Sequence, residues 1–552
     1  MSEHSVERGA HQVVRALARA GVRRLFSLSG HHIMPIYDAL IDSGVALVHV
    51  RHEAAAVHMA DACARVSGEV GVALVTGGPG HANACAALYP ALLAESPVVL
   101  LSGHAPLGQL GRGAFQEMRQ VEMAATVCKA AWLAQSAEGL ATDIARAVAL
   151  ARSGRPGPVH VSLPVDLLTA ALDPDATLSA IDEFEPPPIP IAAEEAEHIG
   201  RALTEARHPL VLIGPGLLTR QGRTRMALLE SAMGVPVVGL QSPRGIDDPA
   251  LGRLRALLPE VDCALLLGKR LDFAVAFGGA PFAADCRWLQ IDCDSAERAH
   301  ARDVLGTRLE VSVDTVDIPT AIDRLLAASV RLAIDPTRHA RWLEAVRTAL
   351  ASRAVSTEDR TVGSGRLHPA QFLAPFARLL VTQPDAVFVA DGGEFGQWAQ
   401  ATLEAPHRLI NGMAGGIGAS IPMALGARAA LGSDRRSPVI AAVGDGGFGF
   451  HASELDTAGR HDLPVIVLIG NDARWNAEHQ MQLREYGPDR TLGCELRPTR
   501  YDQVAAAFGV EGLHVTDADS LARAVAAAER AIAAGRSLCI NAMIESVPAP
   551  RV

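Results

Sequence analysis

Residues 438–475, PVIAAVGDGGFGFHASELDTAGRHDLPVIVLIGNDARW, constrain the fold more than any other stretch of the chain. An apolar run at 439–443 is broken by Gly444-Asp445-Gly446-Gly447, and a helical stretch follows. A second apolar run at 465–469 stops at Gly470-Asn471-Asp472. Runs without a polar alternation are strands buried on both faces, and two of them joined by a crossover helix predict neighbours in a parallel sheet. Asp445 and Asp472 then stand at the carboxyl ends of their strands, the edge where open α/β sheets bind ligands. A hard divalent cation such as Mg²⁺ takes oxygen ligands, commonly one or two carboxylates with phosphate and water. Gly444, Gly446 and Gly447 allow backbone N–H groups to approach a phosphate closely.

The same alternation recurs throughout. Residues 1–175 predict a first unit with strands at 25–28, 46–50, 72–76, 97–102 and 159–163. Its turns include Ser29-Gly30-His31-His32 and Gly77-Gly78-Pro79-Gly80. A proline-rich linker is expected at 173–193. Residues 194–345 predict a second unit, with strands at 210–213, 264–267 and 288–291, and 352–366 reads as another linker. The third unit, 367–552, adds a strand at 387–390 before Asp391-Gly392-Gly393, a glycine-rich segment at 412–418 and a last strand at 538–543. The fold class expected is α/β, with three consecutive doubly wound parallel-sheet domains.

Composition narrows the function. Hydrophobic residues make up 49% of the 552 and charged residues 20%, an ordinary globular balance. A net charge of −11 argues against nucleic acid as a partner. No apolar run reaches membrane-spanning length, and the N-terminus lacks the apolar centre of a signal peptide. Eight scattered cysteines without a CxxC pair fit reduced thiols and a cytoplasmic protein.

The glycine-flanked Asp445 followed by Asn471-Asp472 resembles the fingerprint of the thiamine-diphosphate (ThDP) enzymes, in the branch holding acetolactate synthase, benzaldehyde lyase and 2-hydroxyacyl-CoA lyase. The resemblance covers essentially the whole chain as pyrimidine-binding, central and diphosphate-binding domains. It implies that Asp445, Asp472 and the backbone carbonyl of Arg474 ligate Mg²⁺, which anchors the cofactor's diphosphate. Asp472 stands where the commonest pattern has Asn, a conservative change for an oxygen ligand. In RHEAAAVHMADACARVSG, Glu53 matches the acid that contacts N1′ of the aminopyrimidine ring and promotes loss of the thiazolium C2 proton. Taken alone, Glu53 reads more readily as a first-turn acid favoured by the helix dipole. Gly78 matches the glycine turn beside the cofactor, and Gly393, Glu394 and Phe395 match a diphosphate-contacting turn, in which an acid such as Glu394 is unexpected. The Gly415 carbonyl would accept from the ring amino group. Ile417 would be the bulky wedge that bends the cofactor, although an Ile is by default a core residue.

His32 and Gln116 match residues near the thiazolium in benzaldehyde lyase-like sequences, with His31 as the rival to His32. A His and a Gln at that place can shuttle a proton and orient a carbonyl. Trp475 and Asn476 could wall the pocket. The resemblance implies a C–C lyase or carboligase, or a decarboxylating synthase, acting on a 2-oxo acid, aldehyde, 2-hydroxy ketone or acyl-CoA. The alternative is an enzyme like 2-hydroxyacyl-CoA lyase or oxalyl-CoA decarboxylase. The chain stops soon after its last strand, so an extension covering a CoA substrate is not expected. FAD or ADP in the central domain is possible but unsupported. The resemblance also implies a homodimer or homotetramer, with each site completed across the dimer interface by Glu53 of the opposite chain. Gly214-Pro215-Gly216 raises a dinucleotide-dependent oxidoreductase, but it lacks the spaced third glycine and a ribose-binding acid.

Overall fold

The computed structural model describes residues 7–172, 191–315, 317–353, 365–411 and 413–550. Most of the two linkers expected from the sequence, and Gly412, lie outside the described residues. Among the described residues, seventeen strands form three sheets, and every strand pairing is parallel.

The first sheet holds β1 (Arg24–Ser27), β2 (Ala46–His49), β3 (Gly71–Val75), β4 (Val98–His104), β5 (Ala130–Leu133) and β6 (Val159–Pro164), in the order β2-β1-β3-β4-β6-β5. The central sheet holds β7 (Pro209–Ile213), β8 (Val237–Gly239), β9 (Cys263–Leu267), β10 (Arg287–Asp292) and β11 (Leu309–Asp314), ordered β11-β10-β9-β7-β8. The third sheet holds β12 (Val387–Ala390), β13 (His407–Ile410), β14 (Val439–Gly444), β15 (Ile466–Asn471), β16 (Glu511–Val515) and β17 (Leu538–Met543). Its order, β13-β12-β14-β15-β17-β16, repeats that of the first sheet strand for strand.

Burial explains which strands form the centres. β3, β4, β7, β9 and β12 are buried at every residue, because helices cover both faces. The strands that the sequence did not announce, β5, β8, β11, β13 and β16, all lie at sheet edges. Residues in β5 are only half-buried throughout, so no continuous apolar run was needed there.

The outer domains share one core. The helix Glu53–Ser67 packs on the helix Ser420–Ala430, and residues of both sit in a single apolar cluster with Phe26, Val389 and Ile469. Contact is close enough that a Cβ on Gly426 would lie 2.2 Å from the Met59 carbonyl oxygen. This packing fixes the Glu53 end of the first domain against the third domain of the same chain.

Candidate active site

β14 and β15 run in register from Ile440 opposite Ile466 to Gly444 opposite Gly470, so they end at one level. That level carries Asp445, the first residue of the helix Asp445–His451, and Asp472, just past β15. The two carboxylates are 1% and 7% exposed. Burial pushes the Asp445 carboxyl up to about 7. Burial, and then the Asp445 charge, push Asp472 up to about 8. Oδ2 of Asp445 has no hydrogen-bond partner among the described residues.

A buried carboxylate oxygen without a donor is costly, and a shared cation would satisfy it. Among the described residues, no group of three or more His, Cys, Asp or Glu side chains could hold a metal. Two neighbouring carboxylates, with further positions open to phosphate and water, are instead the kind of oxygen set that Mg²⁺ takes together with a ligand.

The loop after β15 is built to turn sharply. Asn471 is fully buried; its Nδ2 donates to the Thr499 carbonyl at 2.9 Å and to Asn541 Oδ1 at 3.1 Å. Its Oδ1 accepts from the Ala473 amide at 3.2 Å, and Ala473 takes a left-handed φ of 60°. Arg474 then bridges to Glu495. Asn471 therefore shapes the loop, while Asp472 faces the cavity.

A cavity of about 200 Å³ opens over this edge, and Gly393, Phe395, Gly415, Ile417, Gly447 and Trp475 help line it. Trp475 lies on the glycine turn so closely that a Cβ on Gly446 would meet its ring at 2.4 Å. Asn476, although at the rim, donates to the Val547 carbonyl at 2.9 Å and anchors the C-terminal segment. Glu394, which also lines the cavity, does likewise: its Oε2 accepts from the Ala549 amide at 2.9 Å. Ile417 is 38% exposed, so it is not a core residue; its Cγ2 sits against Gly392.

Asp391, which the sequence reading passed over as a site residue, holds the Ile417 loop. It is 1% exposed and accepts from the amides of Gly392 at 2.7 Å and Gly418 at 2.8 Å, and from Ser420 Oγ at 2.8 Å. Its position, a strand-end acid before Gly-Gly, was the available signal.

The first-domain edge is different in kind. His52 caps the helix Glu53–Ser67, accepting from the Ala54 amide at 3.1 Å, so Glu53 is not needed as a cap. Glu53 Oε2 accepts from Asn83 Nδ2 at 3.0 Å, and Oε1 lies 3.3 Å from where a Cβ on Gly80 would stand. Of the two adjacent histidines, His32 turns inward, with Nδ1 3.4 Å from Thr76 Oγ1, while His31 stays at the surface. Burial, and then the neighbouring His31, lower the His32 pKa.

Gln116 has a left-handed φ of 58°, and its buried Oε1 has no partner among the described residues. Its carbonyl oxygen lies 2.7 Å from where a Cβ on Gly78 would stand, and Gly78 itself has φ 61°. A strained residue with an orphaned acceptor fits a ligand-facing position. Gln120, unsignalled in the sequence, fixes this turn: its Oε1 accepts from the Gly78 amide at 2.9 Å, and its Nε2 donates to Ser162 Oγ at 2.7 Å.

Glu53, His32, Gln116 and Gly78 thus gather at one sheet edge, and Asp445, Asp472, Ile417 and the glycines at another. The structure does not bring the two sets together within one chain: the 200 Å³ cavity is lined by third-domain residues alone. Arg155 of the first domain reaches the carboxyl edge of the central sheet. It ion-pairs with Glu95, donates to the Gly268 carbonyl at 2.8 Å and pairs with Asp292 at 2.6 Å.

The repeated parallel sheets, with a carboxylate-bearing glycine turn over a cavity at a strand edge, are the architecture of a ligand-binding α/β protein. Residues 7–123 match the thiamine pyrophosphate enzyme N-terminal TPP binding domain, and residues 391–542 match the C-terminal TPP binding domain. The chain is 30% identical to a probable acetolactate synthase of Mycobacterium bovis, over 98% of this chain and 96% of that protein. It is 29% identical to 2-hydroxyacyl-CoA lyase 2 of Bos taurus, over 98% and 90%. It is also 30% identical to the acetolactate synthase isozyme 3 large subunit of Escherichia coli, over 92% and 90%. The chain belongs to the thiamine pyrophosphate enzyme family. No helix among the described residues is long and apolar enough to cross a membrane.

Proposed function

We propose that this enzyme makes or breaks a C–C bond next to a carbonyl, using ThDP held by Mg²⁺ at the Asp445–Asp472 edge. The observation that carries this reading is the buried carboxylate pair with its unpartnered Asp445 Oδ2, facing a glycine-lined cavity. Asp445, Asp472 and the Arg474 carbonyl would hold the cation. Backbone N–H groups of the Gly393 and Gly446-Gly447 turns would meet the diphosphate, and Ile417 would press the cofactor into a bent form. When bound, ThDP would supply a carbon acid that can serve as a nucleophile toward a carbonyl and as an electron sink for the charge left there.

Glu53 would hold a proton at N1′ of the aminopyrimidine ring, a general acid–base role. His32 and Gln116 would orient the carbonyl oxygen and move a proton to it. Residues 1–175 would serve as the pyrimidine-binding domain, 194–345 as the central domain and 367–552 as the diphosphate-binding domain. The two half-sites would meet across a homodimer, itself able to pair into a tetramer. In support, Phe115 beside Gln116 is 71% exposed and Phe450 near the Ile417 loop is 56% exposed, apolar surface left open at both halves. Eight free cysteines accord with a cytoplasmic location.

Substrates would come from the 2-oxo acids, 2-hydroxy ketones and acyl-CoA thioesters that the two groups of relatives suggest. The test is a titration with ThDP and Mg²⁺ by near-ultraviolet circular dichroism, followed by assays with pyruvate, benzoin, a 2-hydroxyacyl-CoA and oxalyl-CoA. Binding that needs both ThDP and cation, with turnover of one substrate class, is expected. ThDP affinity unchanged by chelator would overturn the metal assignment.

A further inference from the structure

The Glu53 segment and the Ile417 loop belong to different domains, yet one short piece of chain, residues 445–461, grips both. Gly418, which ends the Ile417 loop, gives its amide to Asp391 and its carbonyl to His451 Nδ1, at 2.9 Å. His451 is the last residue of the helix that begins with Asp445. Its ring meets His52 edge-on, centroids 5.7 Å apart, and His58 at 5.8 Å. His52 is the N-cap of the Glu53 helix, and His58 lies on that same helix.

Glu454 follows in the helix Glu454–Arg460. It is fully buried, and its two carboxylate oxygens accept the Arg51 amide at 3.0 and 3.3 Å. Thr457 Oγ1 also donates to it, at 2.7 Å. Arg460 Nη2 donates to the His49 carbonyl at 2.8 Å, and Arg51 pairs with Asp456 at 3.2 Å. A buried carboxylate is tolerated only where fixed donors meet it. Here those donors are the backbone two residues before Glu53, at a helix N-terminus where negative charge is favoured.

We propose that His451 and Glu454 are positioning residues that lock the Glu53 segment and the Ile417 loop of one chain into a single arrangement. Neither residue is among those lining the cavity. The inference rests on the ThDP reading, in which Glu53 serves the partner's site and Ile417 its own; the clasp then ties the geometry of one site to that of the other. The physical basis is contiguity: rigid short helices and direct hydrogen bonds run from Gly418 to Arg51 without a gap.

The test is amide hydrogen exchange on the full-length, cofactor-free protein, read in peptides covering 49–57 and 413–420. Glu454→Ala should speed exchange in 49–57 and, across the domain boundary, in 413–420, by about fivefold or more. His451→Ala should do the same in the opposite direction. His451→Gln, which keeps a donor for the Gly418 carbonyl, should restore protection of 413–420. In the loaded enzyme, Glu454→Ala should lower kcat by more than it changes substrate KM, since the Glu53 segment and the Ile417 loop lose their fixed arrangement while the fold is kept.

Substitutions that each loosen only their own contact, leaving the distant segment at the wild-type rate, would overturn the proposal. Where an alanine variant does not fold, Glu454→Gln and His451→Leu, which fills the space but offers no donor to the Gly418 carbonyl, are read the same way with smaller changes. Coupled exchange in a protein that never binds ThDP would leave the clasp standing and remove the functional reading instead.

Discussion

The first and third sheets have the same strand order, β2-β1-β3-β4-β6-β5 and β13-β12-β14-β15-β17-β16, but their carboxyl edges are equipped differently. The third edge presents two buried carboxylates, an open glycine turn and an exposed Ile417. The first edge presents Glu53, a buried imidazole at His32 and a strained Gln116. On the proposed function, one edge would serve a cation and a diphosphate, the other proton handling beside a ring. The same architecture would then carry two chemistries, decided by a handful of residues at the strand ends.

Substitutions at matched places should separate the two roles. Asp445→Ala should abolish ThDP retention at ordinary cofactor concentrations, as measured by equilibrium dialysis with Mg²⁺. It would remove one of the two buried carboxylates proposed to hold the cation. Glu53→Gln should bind ThDP nearly as wild type but lose about 10²-fold in turnover, the usual worth of a general acid–base group. NMR of thiazolium C2 proton exchange checks this, and a wild-type exchange rate in the variant would remove Glu53 from the role.

The glycine turns give a finer contrast. Gly78→Ala places a Cβ 2.7 Å from the Gln116 carbonyl oxygen at a left-handed φ, so Gln116 must move. It should cut kcat by about tenfold while cofactor affinity holds, because small misplacements of positioning groups cost rate. Gly446→Ala, whose Cβ would meet the Trp475 ring at 2.4 Å, should instead weaken ThDP binding.

The smallest effect expected is on stability with pH. Burial holds His58, packed with His52 and His451 between the two outer domains, neutral down to about 3. The unfolded chain takes up a proton near 6.5 and the folded chain does not. Stability is therefore lost as pH falls below about 6.5, by up to about 1.4 kcal/mol per pH unit for this histidine. Thermal midpoints between pH 7 and 5 should fall in the wild type and fall less steeply in His58→Asn.

The sequence was most informative where burial is complete. β12 and β17 were read residue for residue, because apolar runs closed by glycine or a polar cluster admit few alternatives. Edge strands such as β13 and β16 were missed because a strand with one free edge needs no continuous apolar run. In the site, Asp445, Glu53 and Ile417 were legible from motif and order along the chain. Gln120, Asp391 and Glu454 were not, since each acts through hydrogen bonds to residues distant in sequence. The choice between His31 and His32 also needed the fold, which alone decides the side of the turn each ring takes.

The central claim is that Glu53 of one chain works with Asp445 of another. Glu53→Gln and Asp445→Ala, each inactive alone, should be mixed under conditions of subunit exchange. A hybrid dimer would have one site carrying both defects and one carrying neither. The account predicts that activity returns to about a quarter of the wild-type level in an equal, random mixture of dimers. Confirmed hybrid dimers without any return of activity would contradict it, and would place Glu53 and Asp445 of the same chain in one site.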